Sequence, residues 1–457
     1  MWVRPKISLS DYTYAIYPLV TLVTVVIISC RLANINHHKR RWHNIPSPWS
    51  SIISFGDNYS DSGNGAHITE GKYPSEPYYW HHRFTNGPNW IDNLILDLGG
   101  LGKIKMRNFA HGGASSDNAL WQGNLLGHTI PGTKQQVRGF MLKSRNTGYA
   151  DPQKTLYTIW TGANDCLALG KGGNNTKFTV EDIQESIFQD ILQMERESHN
   201  KVLQVLVLTP PPIEDSPLVI KHEKREVQRE VRRATERITH DLPQGLLNRF
   251  SKIGHSTMTN SAQLAPLHPP HYLPNHRTRA ASPITHYITV DLPRTYTAPK
   301  EHNGGHPLPK AASPRLALHT AGNGIHQPMQ KRDTNIDSAH KPAANPRGRL
   351  QIMVYDAYHF IKHASVNPQC FGLDPVAVNQ TCGERKDCYD RLWMDDFNMN
   401  TAVHYWMARD INTRLHMWHL HTTGARTDMI FKNSTRAREH ELETLGYACP
   451  MRAAPKV

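Results

Sequence analysis

The stretch Phe55-Gly56-Asp57-Asn58-Tyr59-Ser60-Asp61-Ser62-Gly63-Asn64 follows directly on the apolar pair Ile52-Ile53. A short apolar run, here Ser51–Phe55, that leads through Gly-Asp-X into a turn reads as a β-strand that feeds a helix. Such a strand delivers X, here Asn58, to the carboxyl edge of a sheet, where open α/β folds bind their ligands. Three more runs have this character. Leu156–Trp160 leads to Asn164, Val202–Leu208 ends at Pro210-Pro211-Pro212, and Leu350–Tyr355 ends at Asp356. Short apolar runs closed by turn residues are the signature of buried parallel strands.

Helical patterns separate them. Val180–Glu197 places Ile183, Ile187, Ile191 and Met194 at amphipathic spacing, and Glu223–Asn248 is long and charged, with Val227, Val231, Ile238 and Leu246 on one side. Strands alternating with helices predict a three-layer α/β/α sandwich around a parallel, flavodoxin-like sheet.

Five stretches, in order, resemble the GDSL (SGNH) esterase/lipase family. The opening stretch is similar to that family's Phe-Gly-Asp-Ser-Tyr-Ser-Asp-Thr-Gly-Asn, in which the residue after Gly-Asp is the serine nucleophile. Arg83-Phe84-Thr85-Asn86-Gly87-Pro88-Asn89-Trp90 resembles a segment of the fungal and plant branches. Asn108-Phe109-Ala110-His111-Gly112-Gly113-Ala114 is similar to the second motif, and Thr161-Gly162-Ala163-Asn164-Asp165 to the third. Trp393-Met394-Asp395-Asp396-Phe397-Asn398 looks like the last, Trp-X-Asp-X-X-His. The resemblance covers residues 50–250 and 350–420 and implies the SGNH hydrolase fold.

It also implies roles. Asn58 stands at the nucleophile position, Asp395 at that of the triad acid and Asn398 at that of the catalytic histidine. Gly113, Asn164 and the Asn58 backbone N–H stand where the family has its oxyanion donors. Such an esterase needs a hydroxyl to attack the ester, a base to take and return its proton, a carboxylate to orient the base, and N–H donors for the oxyanion. The chain keeps the carboxylate and the donors and has asparagine in place of both reacting groups. Neighbouring groups are weak substitutes. Ser60 and Ser62 read as turn and capping residues. His404, six residues past Asn398 on a predicted helix, points about 240° around from it. Asp57, Asn64, Arg83 and Asn86 read as hydrogen-bonding scaffold, and Asp356 and His359 as a structural strand end.

Three functions remain open on this sequence: an SGNH homologue without hydrolysis that binds a small-molecule, lipid or carbohydrate ester; an active esterase with a rearranged site or an erroneous codon, Asn being one base from both Ser and His; and a membrane-tethered binding or scaffold protein. No cofactor or metal is expected.

The 457 residues are ample for one large domain with additions. The formal charge of +13 does not point to nucleic acid, because His255–Arg349 alone carries 11 Lys/Arg against 4 Asp/Glu, and no nucleic-acid-binding motif is present. That segment holds 13 of the 31 prolines and no Phe, Trp or Cys, a composition that predicts a disordered insertion over 255–349. Its histidines are too irregularly spaced for a metal site. The hydrolase domain is expected at 48–254 and 350–425, with a tail at 426–457. Residues 12–30 are uncharged and apolar, so 1–33 reads as a signal peptide or signal anchor, with cleavage and anchoring both open. This implies the secretory pathway and an extracellular or single-pass membrane-anchored protein. Sequons at Asn174, Asn379 and Asn433, and Cys370, Cys382, Cys388 and Cys449, which favour a disulfide near the last motif, agree with that expectation. Cys166 reads as a buried small side chain.

Overall fold

In the computed structural model the described residues are 47–147, 151–172, 176–197, 202–260, 285–292, 349–383, 385 and 387–423. The apolar stretch 12–30, the tail 426–457 and the sequons at Asn174 and Asn433 lie outside them.

Among the described residues there are nine strands: β1 (Ser51–Gly56), β2 (Lys105–Asn108), β3 (Asn124–Leu125), β4 (His128–Thr129), β5 (Thr155–Trp160), β6 (Leu203–Leu208), β7 (His255–Asn260), β8 (His286–Asp291) and β9 (Arg349–Tyr355). Seven form one sheet in the order β2-β1-β5-β6-β9-β8-β7, and β3 and β4 make a small hairpin. The first five of the seven run parallel. Counted among themselves they have the flavodoxin order 2-1-3-4-5, whose switch point lies between β1 and β5. Every residue of β5 and β6 is buried, which is why these strands read as continuous apolar runs.

The helices are α1 (Asn64–Ile68), α2 (Trp90–Asp97), α3 (Thr133–Thr147), α4 (Ala163–Gly172), α5 (Val180–Glu197), α6 (Pro217–His222), α7 (Arg225–Phe250), α8 (Ala357–Val366) and α9 (Thr401–Thr423). In one group α3 packs on α5, and α5 and α4 pack on α7; in the other α9 packs on α2 and α8. The amphipathic face expected of α5 is the one it buries, through Ile183, Ile187, Ile191 and Met194. Helix α2 starts in a reciprocal capping box between Asn89 and Asp92, and Arg83 grips the same Asp92 with two nitrogens at 2.7 and 3.0 Å. The Arg83–Trp90 motif is thus the brace of a helix start.

Within 255–349, the described residues 255–260 and 285–292 depart from the expected disorder. His255–Asn260 and His286–Asp291 pair antiparallel with each other, and the second of them pairs with β9. Tyr287, Ile288, Val290 and Leu292 are buried against the core. Averaged composition hid this four-residue apolar patch, and an existing sheet edge supplies the backbone partners that an isolated hairpin would lack. Residues 261–284 and 293–348 lie outside the described part.

Candidate active site

Strand β1 runs on past its end, with the Asp57 N–H donating to the Trp160 carbonyl at 3.1 Å. This depends on Gly56, at φ +144°, where a Cβ would fall 2.0 Å from the Trp160 oxygen. Asn58 therefore emerges between β1 and β5, at the switch point. The Asp61 carboxylate holds the turn. It accepts from the N–H groups of Gly63, Asn64 and Gly65 and, across to the second motif, from Gly112 at 2.7 Å. The Asn64 amide spans the same gap to the carbonyls of Asn108 and Ala110.

The three residues expected at the oxyanion site come together. The Gly113 N–H donates to Asn58 Oδ1 at 2.8 Å, and Asn164 Nδ2 donates to the same oxygen at 3.3 Å and to the Ala114 carbonyl at 2.9 Å. Gly113 has φ +76°, and a Cβ there would sit 2.5 Å from the Asn124 carbonyl. Side-chain and backbone bonds from Ser116 to the Asp165 carboxylate tie the start of α4 to the loop after Gly113. Burial pushes Asp165 up to about 6 against those donors. Asp57 is buried too, and its carboxyl lies well above the usual range, from burial and then the nearby Asp165 charge.

The residues expected at the acid and base positions also meet. Asp395 Oδ1 accepts from the N–H groups of Phe397 (2.8 Å) and Asn398 (2.6 Å), and its Oδ2 accepts from Asn398 Nδ2 and the Tyr79 hydroxyl, each at 2.8 Å. Asn398 Nδ2 thus donates to the carboxylate much as an imidazole N–H would. Its Oδ1 is buried without a partner. Burial raises the Asp395 carboxyl above its ordinary value in spite of these donors. The two turns are linked by Tyr59, whose hydroxyl donates to the Phe397 carbonyl at 2.9 Å.

The other polar residues serve the framework. Ser60 Oγ accepts from the Trp90 indole, and Ser62 Oγ accepts from the Asn108 amide. His404 is fully buried with both ring nitrogens unpartnered, its ring edge-on to Trp160, and burial pushes it down to about 3. It is no substitute base. Asn86 donates to the Cys388 carbonyl and accepts from the Thr401 N–H, so it fastens the last motif to the first half of the chain. Asp356 caps α8 and holds His359 at 2.7 Å. Cys382 and Cys388 form a disulfide next to the last motif, and Cys166 is a buried free thiol. A cavity of about 190 Å³ adjoins this turn, lined by Tyr78, Trp80, Asn86, Arg385 and Met394 among others. Among the described residues no group of three His, Cys, Asp or Glu is placed to hold a metal ion.

Sequence reasoning missed Tyr79. Its one signal is proximity to the Arg83 motif; its contact with Asp395 spans 316 positions.

Residues 52–252 match the family profile described as GDSL-like Lipase/Acylhydrolase. A phosphatidylcholine-sterol acyltransferase of Aeromonas hydrophila is 31% identical over 142 residues, which is 30% of this chain and 38% of the relative. A thermolabile hemolysin of Vibrio parahaemolyticus is 23% identical over 127 residues, 28% of each protein. The chain thus spans well under half the length of either relative. Among solved structures, an acetylxylan esterase from Geobacillus stearothermophilus is similar at 15% identity and TM-score 0.22, over 42% of this chain and 73% of that one.

Proposed function

We propose that this chain is a GDSL-family ester hydrolase homologue of the fungal and plant type that has lost hydrolysis and keeps a binding framework for a lipid or carbohydrate ester. The observation that carries this reading is Asn58 itself. It stands at the nucleophile position with its amide oxygen bonded to the donors around it. An amide nitrogen is a poor nucleophile because its lone pair is delocalised. Asn398 cannot take up and return a proton near neutral pH. In a serine hydrolase the joint loss of nucleophile and base lowers turnover roughly 10⁶-fold. The fungal and plant assignment rests on the Arg83–Trp90 segment. The ligand class rests on the family resemblance and on a relative named for phosphatidylcholine and sterol. The disulfide at Cys382 and Cys388 favours an oxidising, extracytosolic compartment.

The test is an assay of the purified full chain on p-nitrophenyl acetate and butyrate, with a fluorophosphonate probe alongside. The expected result is no saturable turnover above a heat-killed control and no labelling. Stoichiometric labelling or saturable turnover would overturn the reading in favour of an esterase with a rearranged site.

A further inference from the structure

Two donors converge on one side-chain atom at the switch point. Gly113 N–H and Asn164 Nδ2 lie 2.8 and 3.3 Å from Asn58 Oδ1. In acyl-transfer sites such a pair serves the oxygen of the reacting carbonyl. We infer that the Asn58 side-chain amide is a built-in occupant of the oxyanion hole and closes it to the carbonyl and carboxylate oxygens of ligands. This rests on the reading above, in which Gly113 and Asn164 are the donors of the hole.

The orientation of the amide follows from its surroundings. Turned over, its NH₂ would face two donors and find no acceptor. The donors have little freedom to turn away. Gly113 is fixed by its close approach to the Asn124 carbonyl, and Asn164 is tethered by its second bond to the Ala114 carbonyl. The plug is covalently part of the chain, so it competes with any free ligand at a high effective concentration. Asn58 is also only 8% exposed. A serine at this position ends one bond earlier and would leave the space of Oδ1 empty. The substitution therefore removes a nucleophile and fills the hole in one step. Once cleared, the hole would take an ester carbonyl or the carboxylate of a short-chain acid.

The experiment reads amide hydrogen exchange at Gly113 by NMR in the full chain labelled with ¹⁵N-glycine, with sodium butyrate as the probe. In the native chain the Gly113 N–H is expected to be protected and indifferent to butyrate. In Asn58→Ala its exchange should be at least about tenfold faster. Butyrate should then restore protection saturably. Asn58→Asp returns an acceptor oxygen to the same place, so it should keep protection and exclude butyrate. Asn58→Ser serves as a second cleared variant if the alanine form does not fold, and should bind butyrate likewise. A saturable butyrate response at Gly113 in the native chain overturns the inference. So does unchanged exchange in a folded Asn58→Ala. Faster exchange without any butyrate effect in the cleared variants overturns it as well, since a hole that takes no acceptor was not being blocked. Ester turnover is a separate readout. Hydrolysis by the native chain would defeat the functional reading while leaving the Gly113 result to stand or fall alone.

Discussion

On the proposed reading the same residue type stands for the reacting group in both turns of the site, and its local surroundings differ. At the end of β1, the Asn58 amide oxygen gains two donors. In the turn after Trp393, the Asn398 amide nitrogen bonds Asp395, and its oxygen is left buried with no donor. The Asn58 oxygen is satisfied by a preformed donor pair; Asn398 meets a carboxylate that wants only donors, so its own oxygen is left without one. A convergent pair of N–H donors readily accepts an amide oxygen, whereas a carboxylate accepts only the N–H half of an amide.

The largest expected effect tests whether the framework around both turns is intact. Asn58→Ser supplies a hydroxyl and empties the hole but finds no base. Asn398→His supplies a base that rests on Asp395 but has nothing to activate. Each alone should leave p-nitrophenyl butyrate turnover within about tenfold of background, whereas the double variant should exceed the product of the singles by at least about 100-fold, because nucleophile and base act as a unit. A folded double variant that is silent on a broad panel of esters would show that the two turns are no longer in register. The binding or scaffold reading would then lead.

A smaller effect measures the asymmetry itself. Asn58→Ala strands the Gly113 N–H in a buried place and should cost about 1–3 kcal/mol in chemical denaturation. Asn398→Leu loses one bond to Asp395 but also removes the unpartnered oxygen, so the net change should stay within about 1 kcal/mol. Tyr79→Phe should fall between them, at about 1–2 kcal/mol, since it withdraws a charge-assisted bond from Asp395 that three other donors partly cover. Equal losses at Asn58 and Asn398 would break the comparison.

What was legible in the sequence is what short-range chemistry decides. The runs at Ser51–Phe55, Leu156–Trp160, Val202–Leu208 and Leu350–Tyr355 became strands with shifts of one residue, and Val180–Glu197 became a helix with the same bounds. Their burial on both faces writes itself into a continuous apolar string. Gly113 and Asn164 could be placed from their motifs because backbone turns position them. The direction of the Asn58 amide could not be read, because it is set by donors 55 and 106 positions away. Tyr79 escaped for the same reason. The hairpin of His255–Asn260 and His286–Asp291 escaped because its stability comes from the edge of β9 and not from its own composition.

The smallest expected effect uses a third region to separate burial from partnership. Asp395 and Asp190 are both carboxyls raised by burial, yet Asp395 has four donors and Asp190, on α5, has both oxygens buried and unpartnered. At Asp190 burial is the first cause, opposed by the Lys134 charge and assisted by that of Asp117. A folded-state value raised above the unfolded one means that the native state holds the proton longer. Between the two values the native state binds more protons than the unfolded chain, so stability falls as pH rises. Asp190→Asn removes that titration. It should therefore stabilise the protein at pH 7 and make no difference below about pH 3, where Asp is protonated in both states. The measurement is the difference in unfolding free energy between variant and native protein at a series of pH values, with the gap opening upward from about pH 3. At Asp395 the same change should destabilise at every pH, because an amide can accept from fewer of the four donors than the carboxylate does. If Asp190→Asn instead destabilises at pH 7, then Lys134 already neutralises the buried charge, and the distinction between a partnered and an unpartnered carboxyl loses its physical basis.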